Sequence, residues 1–86
     1  MLRFKVPAMF WDDHEERGPG DGDPDKAMAR EVSRAGRRVL IEGTAAQIEC
    51  LRSDAKFYAD PWGPDELPPG LKASAKATVK ALTKGL

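Results

Sequence analysis

The one histidine of the chain, His14, sits inside the run Asp12-Asp13-His14-Glu15-Glu16. Four neighbouring carboxylates favour the imidazolium form and supply oxygen donors. The chemistry open to this run is therefore proton donation or metal ligation. Residues adjacent in sequence do not converge on one point unless the backbone turns, and the plainer expectation is a solvated helical turn that holds no metal. Asp21, Asp23 and Asp25 fall at i, i+2 and i+4, like the opening of a calcium loop. Lys26 stands where such a loop requires glycine, and Val32 stands where it requires a bidentate glutamate. Gly18, Gly20 and Gly22 have the wrong spacing and too acidic a setting for a phosphate-binding loop. Cys50 has no motif that brings His14 to it, and Ser33, Ser53 and Ser74 lack a nucleophile-elbow context. No catalytic constellation survives, so the chain is expected to be non-enzymatic and to need no cofactor.

Two basic groups and a set of aromatics remain as binding candidates. Lys72, Lys76, Lys80 and Lys84 recur every four residues, which on a helix makes a strip winding slowly along one side. Arg30, Arg34, Arg37 and Arg38 form the second group. Both could contact phosphates, although a lysine strip is commonly a solvated face and late lysines favour the helix dipole. Trp11, Phe57, Tyr58 and Trp62 are four of the six aromatics and fall at or beside element ends. Trp11 and Trp62, with His14, are the candidate protein-contact residues, because an exposed tryptophan anchors interfaces.

The elements that must position these groups can be read from periodicity. Leu2 to Trp11 alternates Leu2, Phe4 and Val6 with Arg3 and Lys5, which predicts a strand with one buried face. Pro7 lacks an N–H, so that strand belongs at a sheet edge. Residues 12–26 read as a mobile acidic loop whose first turn is a short helix capped by Asp12, with Glu15 as its capping-box partner. Residues 27–42 allow two readings. Pro24 and Gly36 would suit the ends of a helix over 24–35. A hairpin turning at Ala35-Gly36, with Val32 opposite Val39 and Arg30 opposite Ile41, accounts for both halves at once and is preferred. Its inward face would show Met28, Val32, Val39 and Ile41.

Thr44 begins the best-marked element. Gln47 completes a T-x-x-Q box; Ile48, Leu51, Ala55 and Tyr58 make an apolar stripe, widened by Cys50 and Phe57; and Pro61 stops the helix. Residues 61–70 hold four prolines and read as a stiff connector. A last helix follows, with Leu71, Ala75, Val79 and Leu82 on one face and Gly85 at its end. The fold predicted is α+β: a three-stranded antiparallel sheet, made of the N-terminal strand plus the hairpin, with two helices packed on one face, in a single small domain spanning 1–86.

Length and charge bound the function. Eighty-six residues suffice for one domain and exclude a two-lobed enzyme. One cysteine excludes a disulfide scaffold, and the opening residues lack the apolar core of a signal peptide, so a cytoplasmic setting is expected. No apolar run approaches the ~20 residues a membrane span needs. Fourteen basic and fourteen acidic side chains give a formal net charge of zero, but the charge is segregated: −3 over residues 1–26, +2 over 27–43, −3 over 44–70 and +4 over 71–86. Such patches favour docking on a complementary surface, self-association included. In general look the chain resembles small accessory proteins of bacterial or mobile-element systems, with no motif behind the likeness. The expected function is an interaction module whose partner is another protein or a second copy. The alternative is a small nucleic-acid-binding accessory protein using the arginine hairpin and the lysine-striped helix.

Overall fold

The computed structural model describes residues 1–17, 29–61, 63 and 66–84. The described elements are, in chain order, strand β1 (Leu2–Pro7), helix α1 (Ala8–Arg17), strands β2 (Arg30–Ala35) and β3 (Arg38–Gly43), and helices α2 (Ala45–Ala59) and α3 (Leu71–Lys84). The sheet is antiparallel in the order β1-β3-β2, so β3 is central and both β1 and β2 are edges. The α+β architecture predicted from the sequence is the one found, with a third helix, α1, in addition.

β1 pairs Phe4 with Ile41 and Val6 with Val39, and these residues face the helices. Arg3 and Lys5 are exposed on the opposite face, opposite Glu42 and Leu40. Pro7 closes the strand on its edge, where the missing N–H costs no ladder bond. The strand ends there and does not run on to Trp11: Ala8 opens α1. A proline just before a helix pre-sets the backbone and removes a donor that would have no partner. The next amides are satisfied from far away. The Ala8 N–H donates to the Arg37 carbonyl at 2.8 Å, and the Phe10 N–H donates to the Ser74 hydroxyl at 3.0 Å. Residues 12–17 of the expected acidic loop are therefore helical, and Asp12 lies inside the helix and does not cap it. Residues 18–26 lie outside the described residues, and with them Asp21, Asp23, Asp25 and the three glycines.

The hairpin is present and the helix over 24–35 is not, since Arg30–Ala35 is strand; residues 24–28 lie outside the described residues. Its register differs from the one expected. The turn is Gly36-Arg37, Ala35 faces Arg38 and Arg34 faces Val39, and a bulge between Glu31 and Ser33 ejects Val32, which is 40% exposed. Gly36 takes φ +62, the left-handed value a tight hairpin turn needs and a residue with a Cβ resists. With this register Arg30 falls opposite Glu42 on the outer face, clear of the apolar side.

The α2 cap forms as the sequence predicts. The Gln47 N–H donates to Thr44 Oγ1 at 3.2 Å, and the Thr44 N–H donates to Gln47 Oε1 at 2.9 Å. Ile48, Leu51 and Ala55 are buried and Tyr58 is half-buried; Phe57 points out, 57% exposed. Asp60 is extended before Pro61, as its neighbour requires. In α3 the buried face is Leu71, Ser74, Ala75, Thr78 and Leu82, with Val79 half-buried at its border. Gly85 lies outside the described residues. All three helices lie on one face of the sheet, around a core of Val6, Phe10, Trp11, Val39, Ile41, Ile48, Leu51 and Leu82. No helix among the described residues is long and apolar enough to cross a membrane.

Candidate functional site

The run around His14 is split by the helix. His14 turns inward and is only 2% exposed, contrary to the solvated turn expected for it. Its Nδ1 lies 2.7 Å from Asp54 Oδ2 on α2. Burial raises the Asp54 carboxyl, but the hydrogen bonds from His14 and Arg17 outweigh this and hold it below the usual carboxylate value. The carboxylate therefore accepts and His14 Nδ1 donates. Arg17 adds Nη2 to Asp54 at 2.7 Å and Nε to Asp13 at 2.6 Å, and its guanidinium lies 4.5 Å from the Tyr58 ring centroid. The Phe10 and Trp11 rings flank His14, with centroids 6.3 and 6.0 Å from its own. His14 Nε2 is buried and meets no hydrogen-bond partner among the described residues. This cluster joins α1 to α2; a general acid or base would need a ring nitrogen open to substrate.

Trp11 is fully buried, and its Nε1–H donates to Glu31 Oε1 at 3.0 Å. It is a core residue whose one polar atom is satisfied, so neither Trp11 nor His14 presents a surface to a partner. Trp62 lies outside the described residues.

The remaining acids of α1 face the hairpin. Asp12, Glu15 and Glu31 bring oxygens within 4.8 Å of one another, a spacing that could hold a cation. Arg34 already fills that electrostatic role: it bonds to both carboxylates of Asp12 and Glu31, reaching Glu31 at 2.8 Å. Its hydrogen bonds lower Asp12 and Glu31 below their usual range, Trp11 adding to the effect on Glu31. Asp12 and Glu31 in turn hold the guanidinium above its ordinary value.

The outer sheet face carries a second ion-paired row. Arg3 on β1 and Arg30 on β2 both reach Glu42 on β3, at 2.8 and 3.1 Å, and the bond from Arg3 is the main reason the Glu42 carboxyl lies low. Arg30 and Arg34 are thus engaged within the fold. Arg37 and Arg38, at the hairpin turn, and the four lysines of α3 are exposed. The structure brings Arg38 beside Lys80 and Lys84 in one groove, and places Lys76 in another, between α2 and α3. It does not gather the eight basic candidates into one patch. Asp54, the partner that buries His14, was missed by sequence reasoning. Its position one turn before Tyr58 on the apolar stripe of α2 was the available signal. No family model matches the chain, and no curated protein or solved structure does.

Proposed function

We propose that this chain is a small non-enzymatic interaction module that receives an extended, acidic segment of a partner protein along β1. One observation carries the reading. Among the described residues β1 pairs with β3 on one side only, and the residues it displays on the outer face, Arg3 and Lys5, are both basic. An open edge offers main-chain donors and acceptors to an incoming strand, and alternate side chains set which strand is accepted. Acidic residues opposite Arg3 and Lys5 would be favourable cross-strand pairs, and apolar residues opposite Leu2, Phe4 and Val6 would extend the half-buried face. Self-association through the same edge is less favoured. Two copies of β1 paired antiparallel about Phe4 would set Arg3 against Lys5 of the second copy, like charges directly opposed. The single cysteine agrees with a reducing, cytoplasmic setting.

The test is titration of isotope-labelled protein with a synthetic peptide alternating valine with aspartate and glutamate, read by amide hydrogen exchange. Slowed exchange over residues 2–6, absent with the same peptide carrying lysines, supports the reading. A Lys5→Glu variant should lose affinity for the acidic peptide. Unchanged exchange in β1 at saturating peptide overturns the strand-addition mode. Concentration-dependent dimerisation through β1 would replace the foreign partner with a second copy.

A further inference from the structure

Arg38 and the two last lysines of α3 line one groove of about 370 Å³, together with Pro7, Ala77 and Ala81. The local structure explains why they meet. Pro7 pairs with Arg38 at the end of the sheet, and α3 packs against β1, so the start of β3 and the last turns of α3 share one wall. Ala77 and Ala81 repeat at i and i+4, and Lys80 and Lys84 repeat at the same interval beside them. A small-residue row thus makes room while a cationic row, about 6 Å from one lysine to the next along the axis, borders it.

Nothing among the described residues compensates the charge in this groove. Among the described residues Arg3, Arg17, Arg30, Arg34 and Arg52 each meet a carboxylate within 4 Å, whereas Arg38, Lys80 and Lys84 make no such pair. No carboxylate among the described residues lines the groove. Three like charges carried by residues of one concave wall raise the potential there and cost stability unless an anion answers them. A guanidinium contributes a planar fork, and two ammonium groups contribute compact charges; this combination suits the several oxygens of a phosphate better than a single carboxylate. The volume falls within the ~300–1,000 Å³ of small-ligand sites.

We propose that this groove is a phosphate-binding site, with Arg38 on one side of the phosphate and Lys80 and Lys84 on the other. It meets β1 only at Pro7, the last residue of that strand, and does not depend on a strand binding there. The phosphate belongs to a free phosphorylated compound or to a nucleic-acid backbone, and two probes separate the sources.

Calorimetric titration at low salt with inorganic pyrophosphate and with a short single-stranded oligothymidylate is the experiment, run on the wild type and on Arg38→Gln, Lys80→Gln and Lys72→Gln. The first two replace groove residues; Lys72 is an exposed lysine of the same helix outside the groove. Arg38→Gln and Lys80→Gln should each weaken binding about tenfold, the effect of losing a charged hydrogen bond, and Lys72→Gln should stay within about twofold. Binding of pyrophosphate but not the oligonucleotide assigns a free phosphorylated ligand. Oligonucleotide binding whose log–log salt slope drops by roughly 0.7 for each groove cation removed assigns a nucleic-acid backbone. Thermal melts confirm that these exposed substitutions leave the fold intact. The proposal is overturned if neither probe binds, if both groove variants bind like wild type, or if Lys72→Gln weakens binding as much as they do.

Discussion

His14 donates from Nδ1 to Asp54 Oδ2 across 2.7 Å, and this contact ties the last turn of α1 to the middle of α2. The same carboxylate takes two further bonds from Arg17. An otherwise surface-directed acid is thereby made a joint between two helices.

That joint predicts an acid-sensitive fold. The Asp54 carboxyl is held below its ordinary value of 3.8, so the unfolded chain takes up a proton at a pH where the folded one does not. Its stabilisation is therefore fully present above that value and is lost as pH falls below it through the lower, folded value. Asp54→Asn should lower the melting temperature at neutral pH and flatten its decline below about pH 4. Asp12, Glu31 and Glu42, lowered in the same way, keep a residual slope. Thermal melts of both proteins across that pH range give the answer; parallel curves would show that Asp54 is not a source of the acid sensitivity.

Ser74→Ala should behave as the loss of a helix cap, although Ser74 is not in α1. It removes the acceptor of the Phe10 N–H and leaves that donor buried. The expected cost is about 1–3 kcal/mol in a denaturant melt, and exchange of the Phe10 amide should accelerate more than that of the α2 amides.

Three substitutions rank the elements by burial. Thr44→Ala breaks the capping box and should cost about 1 kcal/mol. Leu51→Ala empties a fully buried site and should cost roughly 2–5 kcal/mol. Lys76→Ala, at an exposed position, should stay within about 0.5 kcal/mol. Denaturant melts that placed Lys76→Ala beside Leu51→Ala would contradict the packing face of α3 described above.

The parts legible in the sequence are those whose determinants are local. Thr44, Gln47 and Pro61 mark both ends of α2 within their own neighbourhood. The alternation of Leu2, Phe4 and Val6 marks β1 in the same way. The start of α1 was not legible, because its amides are bonded by Ser74 and Arg37 and no cap residue precedes Ala8. The hairpin register was not legible either, because the bulge at Val32 accompanies contacts that alternation along the chain does not encode, Arg30 with Glu42 and Glu31 with Trp11. For the candidate sites, spacing alone placed the lysines on one helix. It could not show that Lys80 and Lys84 would share a groove with Arg38 while Arg34 turned to Asp12.

The hydroxyl of Ser74 on the first turn of α1 also bears on the order in which the chain can acquire its structure during synthesis. Translation delivers Phe10 and Trp11 long before Ser74, which follows Phe10 by 64 residues, and before β3, the strand that pairs with β1. Until α3 emerges, the N-terminal stretch lacks both the Ser74 acceptor and the helix that packs on β1, so a nascent chain halted before Leu71 is still open to chaperones and proteases. Completion of the N-terminal core therefore waits on α3, the element farthest along the chain among those described.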